Sequence, residues 1–416
     1  MTFTRDRKPP PDKGYRVLSR NNPSPGCSRC GACLSVCPVY RVTGQERMSP
    51  RGKVHLVRSS THAGQAEVLE TLSACLQCGA CATVCSAGVS PAALVREARA
   101  NRDLNTHLPW WVSGLTGERK VIQGLGRMVS GIPHSRGIAS LFLHDPDIPR
   151  LLPLLRQESA VSRLSRNTPP PGGYPRIALF VGCIQNYLFP EITLAISDWF
   201  GGGLIAPVDQ TCCGLAAWVS GDENRARDLA RTNLAAFQKV RPDIIVTGCA
   251  SCASMLRHTY PDLFPASTPE GQESRQMAAM VREMGELAGE LGVIPPRKRG
   301  SGTVTYHAPC HQRFSLKSAK EVEQVLKSMP GMEFIPMEPG CCGYGGLFAT
   351  RHPDLSRSVW EGRSKAWQKT GASTVVTTCS GCLLQLRLRS AECEEAPEVL
   401  HLAELASRHT GIAVHP

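Results

Sequence analysis

Nineteen cysteines stand in a chain of 416 residues, and eighteen of them fall into four spaced sets. Cys27, Cys30, Cys33 and Cys37 form the first, and Cys75, Cys78, Cys81 and Cys85 repeat its intervals. A third set, Cys183, Cys212, Cys213, Cys249 and Cys252, is matched by a fourth, Cys310, Cys341, Cys342, Cys379 and Cys382. Where thiols stay reduced, cysteines in such numbers point to metal ligation rather than disulfides. Structural zinc sites use two separated Cys-x2-Cys pairs, whereas four cysteines within eleven residues suit an iron–sulfur cluster.

The intervals of the first two sets have a geometric reason. Three cysteines at steps of three wrap a tight loop around one cubane, and the fourth, beyond a turn, reaches a neighbouring cluster. Cys37 is followed by Pro38, as in the bacterial ferredoxin run, while Ser86 takes that place after Cys85. Cys27, Cys30, Cys33 and Cys85 are therefore expected to hold one 4Fe–4S cubane, and Cys75, Cys78, Cys81 and Cys37 the other. Gly31 and Gly79 stand where the loop must turn without a side chain. The adjacent pairs Cys212-Cys213 and Cys341-Cys342 diverge along the backbone, which suits different irons of a larger or more open cluster. Five thiolates also exceed the four a cubane needs. Zinc remains the alternative for these sets, and a disulfide between neighbours would be strained.

The elements that must position these cysteines repeat. Arg176–Cys183 corresponds to Thr303–Cys310, Thr211-Cys212-Cys213-Gly214 to Gly340-Cys341-Cys342-Gly343, and Asp243–Cys249 to Ser373–Cys379. The offsets are 127, 129 and 130 residues, the mark of one duplicated unit with small indels. In each copy β-branched runs alternate with helical patterns, the helices predicted over Asp222–Lys239 and Pro353–Gln368. Such alternation implies an α/β fold with a small parallel sheet covered on both faces, whose ligands gather at the carboxyl ends of strands. Cys183, Cys249, Cys310 and Cys379 each follow a predicted strand. The expected organisation is a mainly helical cluster domain at 1–103 and a helical connector and linker at 104–175. Two small α/β cysteine-rich domains follow, at 176–298 and 299–416. Residues 157–175 read as an exposed linker.

The formal charge of +12 overstates the basicity of a loaded chain, because each bound cluster adds negative charge. Basic residues are scattered and no nucleic-acid motif is present, so contact with a membrane face or an acidic partner protein is the expectation. No apolar run approaches the length of about twenty residues needed to span a bilayer. The polar, basic N-terminus has no secretory pattern, which points to the cytoplasm, with peripheral attachment to the inner membrane face as an option.

The duplicated pattern Cys-x28–30-Cys-Cys-Gly-x35–36-Cys-x2-Cys resembles the cysteine-rich CCG domain of heterodisulfide reductases. In the best-known members of that group, five such cysteines bind a noncubane 4Fe–4S cluster. A dicluster ferredoxin domain followed by two CCG domains resembles the glycolate oxidase iron–sulfur subunit family. Cys37-Pro38-Val39-Tyr40 leading to Ser49-Pro50-Arg51-Gly52-Lys53 is most similar to that group. The resemblance implies two cubanes, two further noncubane clusters, a FAD-containing dehydrogenase partner acting on a 2-hydroxy acid, and a quinone or other acceptor. It also implies alternatives: an iron–sulfur subunit of anaerobic glycerol-3-phosphate dehydrogenase, or a heterodisulfide-reductase-like catalyst. Both CCG sets are complete here, which keeps the latter open. No Gly-x-Gly-x-x-Gly fingerprint follows a strand, so substrate oxidation is expected on the partner. His307 and His311, flanking Cys310, suit hydrogen bonding to a cluster sulfur better than iron ligation. Trp110-Trp111 with Arg119, Lys120 and Arg127 reads as an interdomain anchor before a membrane contact. Cys393, among Glu392, Glu394 and Glu395, reads as a bystander.

Overall fold

The computed structural model describes residues 26–59, 66–101, 156, 158–165, 175–293, 302–393 and 396–408. Up to residue 101 the described chain is helical, with short helices at Pro38–Thr43, Pro50–Arg58, Ala66–Ser73, Ala80–Thr83 and Pro91–Asn101. Proline occupies the first turn at Pro38 and Pro50, where its missing N–H costs nothing, and Ser49 caps the second by accepting from the Gly52 amide. Leu72 and Val95 meet in one small core, and Val54 with Val89 and Leu94 in another.

Two parallel sheets follow. β1 (Ile177–Leu179), β2 (Ile244–Thr247) and β3 (Val281–Glu283) form the first in that order, and a lone parallel bridge at Ile205 extends it beyond β1. β4 (Gly302–Tyr306), β5 (Met332–Phe334), β6 (Thr374–Thr377) and β7 (Glu398–His401) form the second in the order β5-β4-β6-β7. With Ile205 counted as the counterpart of β5, the two sheets share one topology, as duplicated blocks require. The strand order reverses beside β1 and β4, so the crevice at their carboxyl ends is the place where such sheets bind ligands. Cys183 and Cys249 stand just beyond β1 and β2, and Cys310 and Cys379 beyond β4 and β6.

The predicted helices form at Glu223–Val240, capped by Asp222 through the Arg225 amide, and at Pro353–Gln368. The reading of 157–175 as exposed linker needs correction. Ala160–Leu164 is a helix, capped by Ser159, whose Ala160, Val161 and Leu164 are buried in the core of the first sheet. The Val161 amide donates to Asn186 Oδ1 at 3.0 Å, so the apolar triplet outweighs the polar residues around it. The helices expected over 104–156, Trp110, Trp111, Arg119, Lys120, Arg127 and the basic N-terminus lie outside the described residues, Arg156 excepted. Among the described residues no helix is long and apolar enough to cross a membrane.

The two sheets share one continuous core. The helices that start beyond Cys249 and Cys379 are tied across it, the Ala250 amide donating to the Thr378 carbonyl at 2.9 Å. The N-terminal helices dock on both units. Arg99 donates to the Val219 carbonyl at 2.7 Å, and Arg96 lies 3.8 Å over the Trp218 ring and pairs with Glu223. Ser73 bonds His352 at 2.7 Å.

Candidate metal centres

Two loops of the helical region curl alike. Gly31 and Gly79 adopt φ of 85° and 79°, and Arg29 and Gln77, each just before the second cysteine of its loop, are also left-handed. A side chain in that conformation costs about 1 kcal/mol, which the curl of the loop imposes. Cys37, from the first loop, lines one small cavity with Cys75, Cys78 and Cys81, below Lys53. Cys85 shares a core with Cys27. Cys37 thus stands with the cysteines of the second loop, and Cys85 beside Cys27 of the first.

All ten cysteines of the other two sets line a single cavity of about 210 Å³, together with Leu76, Gln77 and Cys78 of the second ferredoxin-like loop. In the first unit the adjacent thiols do not diverge as expected: Cys212 bonds Cys213 as well as lying 3.7 Å from Cys183 Sγ, and Cys213 also bonds Cys252. In the second, Cys342 Sγ lies 3.3 Å from Cys382 Sγ. The two sets meet where Cys249 and Cys379 interact, and Ser251 Oγ touches Cys379 Sγ at 3.1 Å and His311 Nδ1 at 3.0 Å. Cys78, Cys37 and Cys341 pack against one small apolar core, so the inner ferredoxin-like loop abuts the second unit. Leu76 roofs the cavity over Gly345, where a Cβ would come within 2.5 Å of its Cδ2.

Burial pushes the Cys78 thiol up to about 12 and the Cys310 thiol well above its ordinary range. So many enclosed thiols cannot ionise together unless a cationic core lies among them. Buried donors point the same way. His307 Nδ1 and Nε and Nη2 of Arg363 have no hydrogen-bond partner among the described residues, and Arg363 sits beside the Cys341-Cys342 segment. A soft, electron-rich group such as an iron–sulfur core fits this donor set.

The His307 ring nitrogen and the thiols of Cys342 and Cys382 lie within 4.8 Å of one another. His311 reaches across to Ser251 while its Nδ1 stays 3.7 Å from Cys310 Sγ. Cys393 stands apart from every set, its thiol directed at the Arg389 carbonyl.

A 4Fe-4S dicluster domain model matches residues 24–89, and a cysteine-rich domain model matches residues 177–257 and again 304–387. A probable glycolate oxidase iron-sulfur subunit of Bacillus subtilis is 29% identical, over 92% of this chain and 94% of its own length. The chain is similar to glycolate oxidase iron-sulfur subunits along most of its length. The glycolate oxidase iron-sulfur subunit of Escherichia coli is 25% identical over 90% of this chain and 92% of its own. Lactate utilization protein A of Oceanobacillus iheyensis is 28% identical over 56% of this chain and 97% of its own. In this chain a helical dicluster domain precedes two cysteine-rich domains, each built on a parallel sheet.

Cysteine spacing did not reveal Lys53, Arg99 or Arg363, three buried cations beside the thiols. Arg363 left a signal. It occupies the apolar stripe of its helix, with Ser356, Val359, Trp360 and Trp367, where a charge needs a reason.

Proposed function

We propose that the chain is the electron-transfer subunit of a 2-hydroxy-acid dehydrogenase, of the glycolate or lactate type. A partner flavoprotein oxidises the substrate, and a quinone or another acceptor takes the electrons. Two cubanes would be held by Cys27, Cys30, Cys33 and Cys85 and by Cys37, Cys75, Cys78 and Cys81. Two further clusters would be held by the sets beginning at Cys183 and Cys310. Bound clusters supply one-electron transfer. The observation that carries this reading is Cys78, which lines both the inner ferredoxin-like cavity and the cavity shared by the cysteine-rich units. A route for electrons from one to the other needs no further element.

The residues of the chain fix that route. Arg99 donates to the carbonyls of Leu72, Ser73 and Cys75 and so holds the inner loop in place. Lys53 lies buried beside Cys75 and Cys37, which favour its charge while burial works against it, and it donates to the Met48 carbonyl. Leu76 and Val219 help exclude water from the shared cavity.

A second reading rests on the same cavity. Two complete cysteine sets that face one shared cavity suit a disulfide substrate between them. Anaerobically purified protein should carry about sixteen irons per chain if every set is filled. The isolated chain should oxidise no hydroxy acid, and addition of its flavoprotein should restore dye or quinone reduction. Cleavage of a thiol-cofactor disulfide by the chemically reduced chain alone would overturn the relay in favour of the second reading.

A further inference from the structure

The two cysteine-rich units share a topology but not an electrostatic environment. The duplication offsets pair Phe180 with His307, Ile184 with His311, Asn186 with Arg313 and Asn233 with Arg363. Asn233 and Arg363 occupy the same turn of equivalent helices, beneath the adjacent cysteines. Asn233 is neutral and fully used: it accepts from the Thr211 amide and donates to the Cys212 carbonyl and the Tyr260 hydroxyl. Arg363 is 4% exposed, and its one hydrogen bond runs from Nη1 to the Glu338 carbonyl at 2.7 Å. It forms no ion pair among the described residues. Its Nε and Nη2 are buried without partners, a Cβ on Gly340, next to Cys341, would come within 2.8 Å of its Nη1, and charge on Cys342 and Cys341 acts on it in favour of the cation. Burial lowers its pKa to about 10, which still leaves the guanidinium charged at neutral pH. Arg313 adds a second cation within reach of Cys310, Cys78 and Cys341.

We propose that Arg363 makes the C-terminal cysteine-rich site the more easily reduced of the two, and hence the first acceptor of electrons that leave the inner ferredoxin-like site. A fixed positive charge in a low-dielectric interior favours the state with one more electron. Arg363 acts here as a positioning and tuning residue, and touches no substrate. The step is a single electron transfer: the inner site is oxidised by one electron, the C-terminal site is reduced by one, and no bond or proton moves. The inner loop packs beside the second set, Cys78 and Cys341 bordering one small apolar core, and the Cys78 charge acts on Cys310 and Cys341. This inference rests on the electron-transfer reading above, with both cysteine-rich sites filled.

The test is a redox titration of the anaerobically purified full chain, followed by electron paramagnetic resonance. Signals are assigned from Cys212→Ser and Cys341→Ser proteins, each lacking one of the two sites. In the parent protein the C-terminal site should be reduced at the higher potential. Arg363→Gln should lower its reduction equilibrium by about tenfold or more, about 59 mV for a one-electron couple, and leave the N-terminal site unmoved. Arg363→Lys, which keeps the charge, should retain more than half of the difference. A smaller shift in an Arg363→Gln protein that keeps its iron overturns the proposal. So does an Arg363→Lys protein as low as Arg363→Gln, or a parent protein whose N-terminal site is the higher. Where Arg363→Gln fails to fold, the parent order and the lysine variant still decide. Iron content reports separately on the reading beneath: a parent chain with about eight irons and stoichiometric zinc would mean that the cysteine-rich sites are not redox centres at all.

Discussion

The two cysteine-rich units began as the same block and now differ in what surrounds their thiols. Around the first set stand Phe180, Ile184 and the satisfied Asn233; around the second stand His307, His311, Arg313 and Arg363. Cys341 of the second set borders one small apolar core together with Cys78 of the inner ferredoxin-like loop. The two cysteine sets match in spacing, and the side chains around them do not. Symmetry in the cysteines is thus a poor guide to symmetry in function.

The largest test of that difference removes one ligand from each side. Cys341→Ser should lose about four of sixteen irons and block delivery from reduced flavoprotein to both cysteine-rich sites. Cys212→Ser should lose as many irons yet leave reduction of the C-terminal site intact, as rapid-mixing spectroscopy would show. Equal loss of delivery in both variants breaks the comparison. One step upstream, Cys37→Ser should abolish the inner cluster and spare the one nearer Cys27, a selective loss visible in iron content and spectra. Loss of the Cys27 cluster instead would refute the interlaced grouping.

Stability offers a finer contrast. Gly248 and Thr378 occupy equivalent positions after β2 and β6. A Cβ on Gly248 would lie 2.3 Å from Ile196 Cδ1 and crowd Gln185 and His401, whereas Thr378 bonds the Tyr306 hydroxyl at 2.9 Å. Gly248→Thr should cost about 2–4 kcal/mol in urea unfolding, through overpacking and the loss of the His401 bond to the Gly248 carbonyl. Thr378→Gly should cost about 1–2 kcal/mol.

The smallest effect concerns pH. Glu283 and His401 cap equivalent helices, and their partners Glu286 and Glu404 pair with Arg257 and Arg387. Burial, and then repulsion from Glu286, raise the Glu283 carboxyl well above its usual range. Its folded pKa lies above the unfolded one, so its contribution is full below about pH 4.3 and is lost as pH rises through the folded value. Burial works against the charge of Glu286, yet Arg257 outweighs it and holds that carboxyl low. Its contribution is present above about pH 4.3 and fades as pH falls through the folded value. Glu283→Gln should therefore gain stability relative to the parent as pH rises from 4 to 8. A pH-independent difference in urea midpoints would rule out this account.

The strands beyond Arg176, Thr303, Asp243 and Ser373, the long helices and the duplication were legible because hydrophobic periodicity and cysteine register are local signals. β3, β7 and the Ile205 bridge were not: they are brief, and what makes them strands is a neighbour far along the chain. The buried Ala160–Leu164 helix was hidden among polar and proline-rich residues for the same reason. The ligand-bearing residues announced themselves by spacing. Arg363, Lys53 and Arg99 did not, because a charged residue declares itself buried only when the far side of its helix is known.

The Leu76-Gln77-Cys78 turn belongs to two cavities at once, wrapping the inner site and roofing the shared one over Gly345. The ferredoxin-like part is therefore not a detachable module. A graft of that part from another electron carrier would need to match this turn in length and in the side chain it lays on Gly345, as well as in its cysteines. Recombination among such proteins is free at the linkers and constrained at three residues in the middle of a loop.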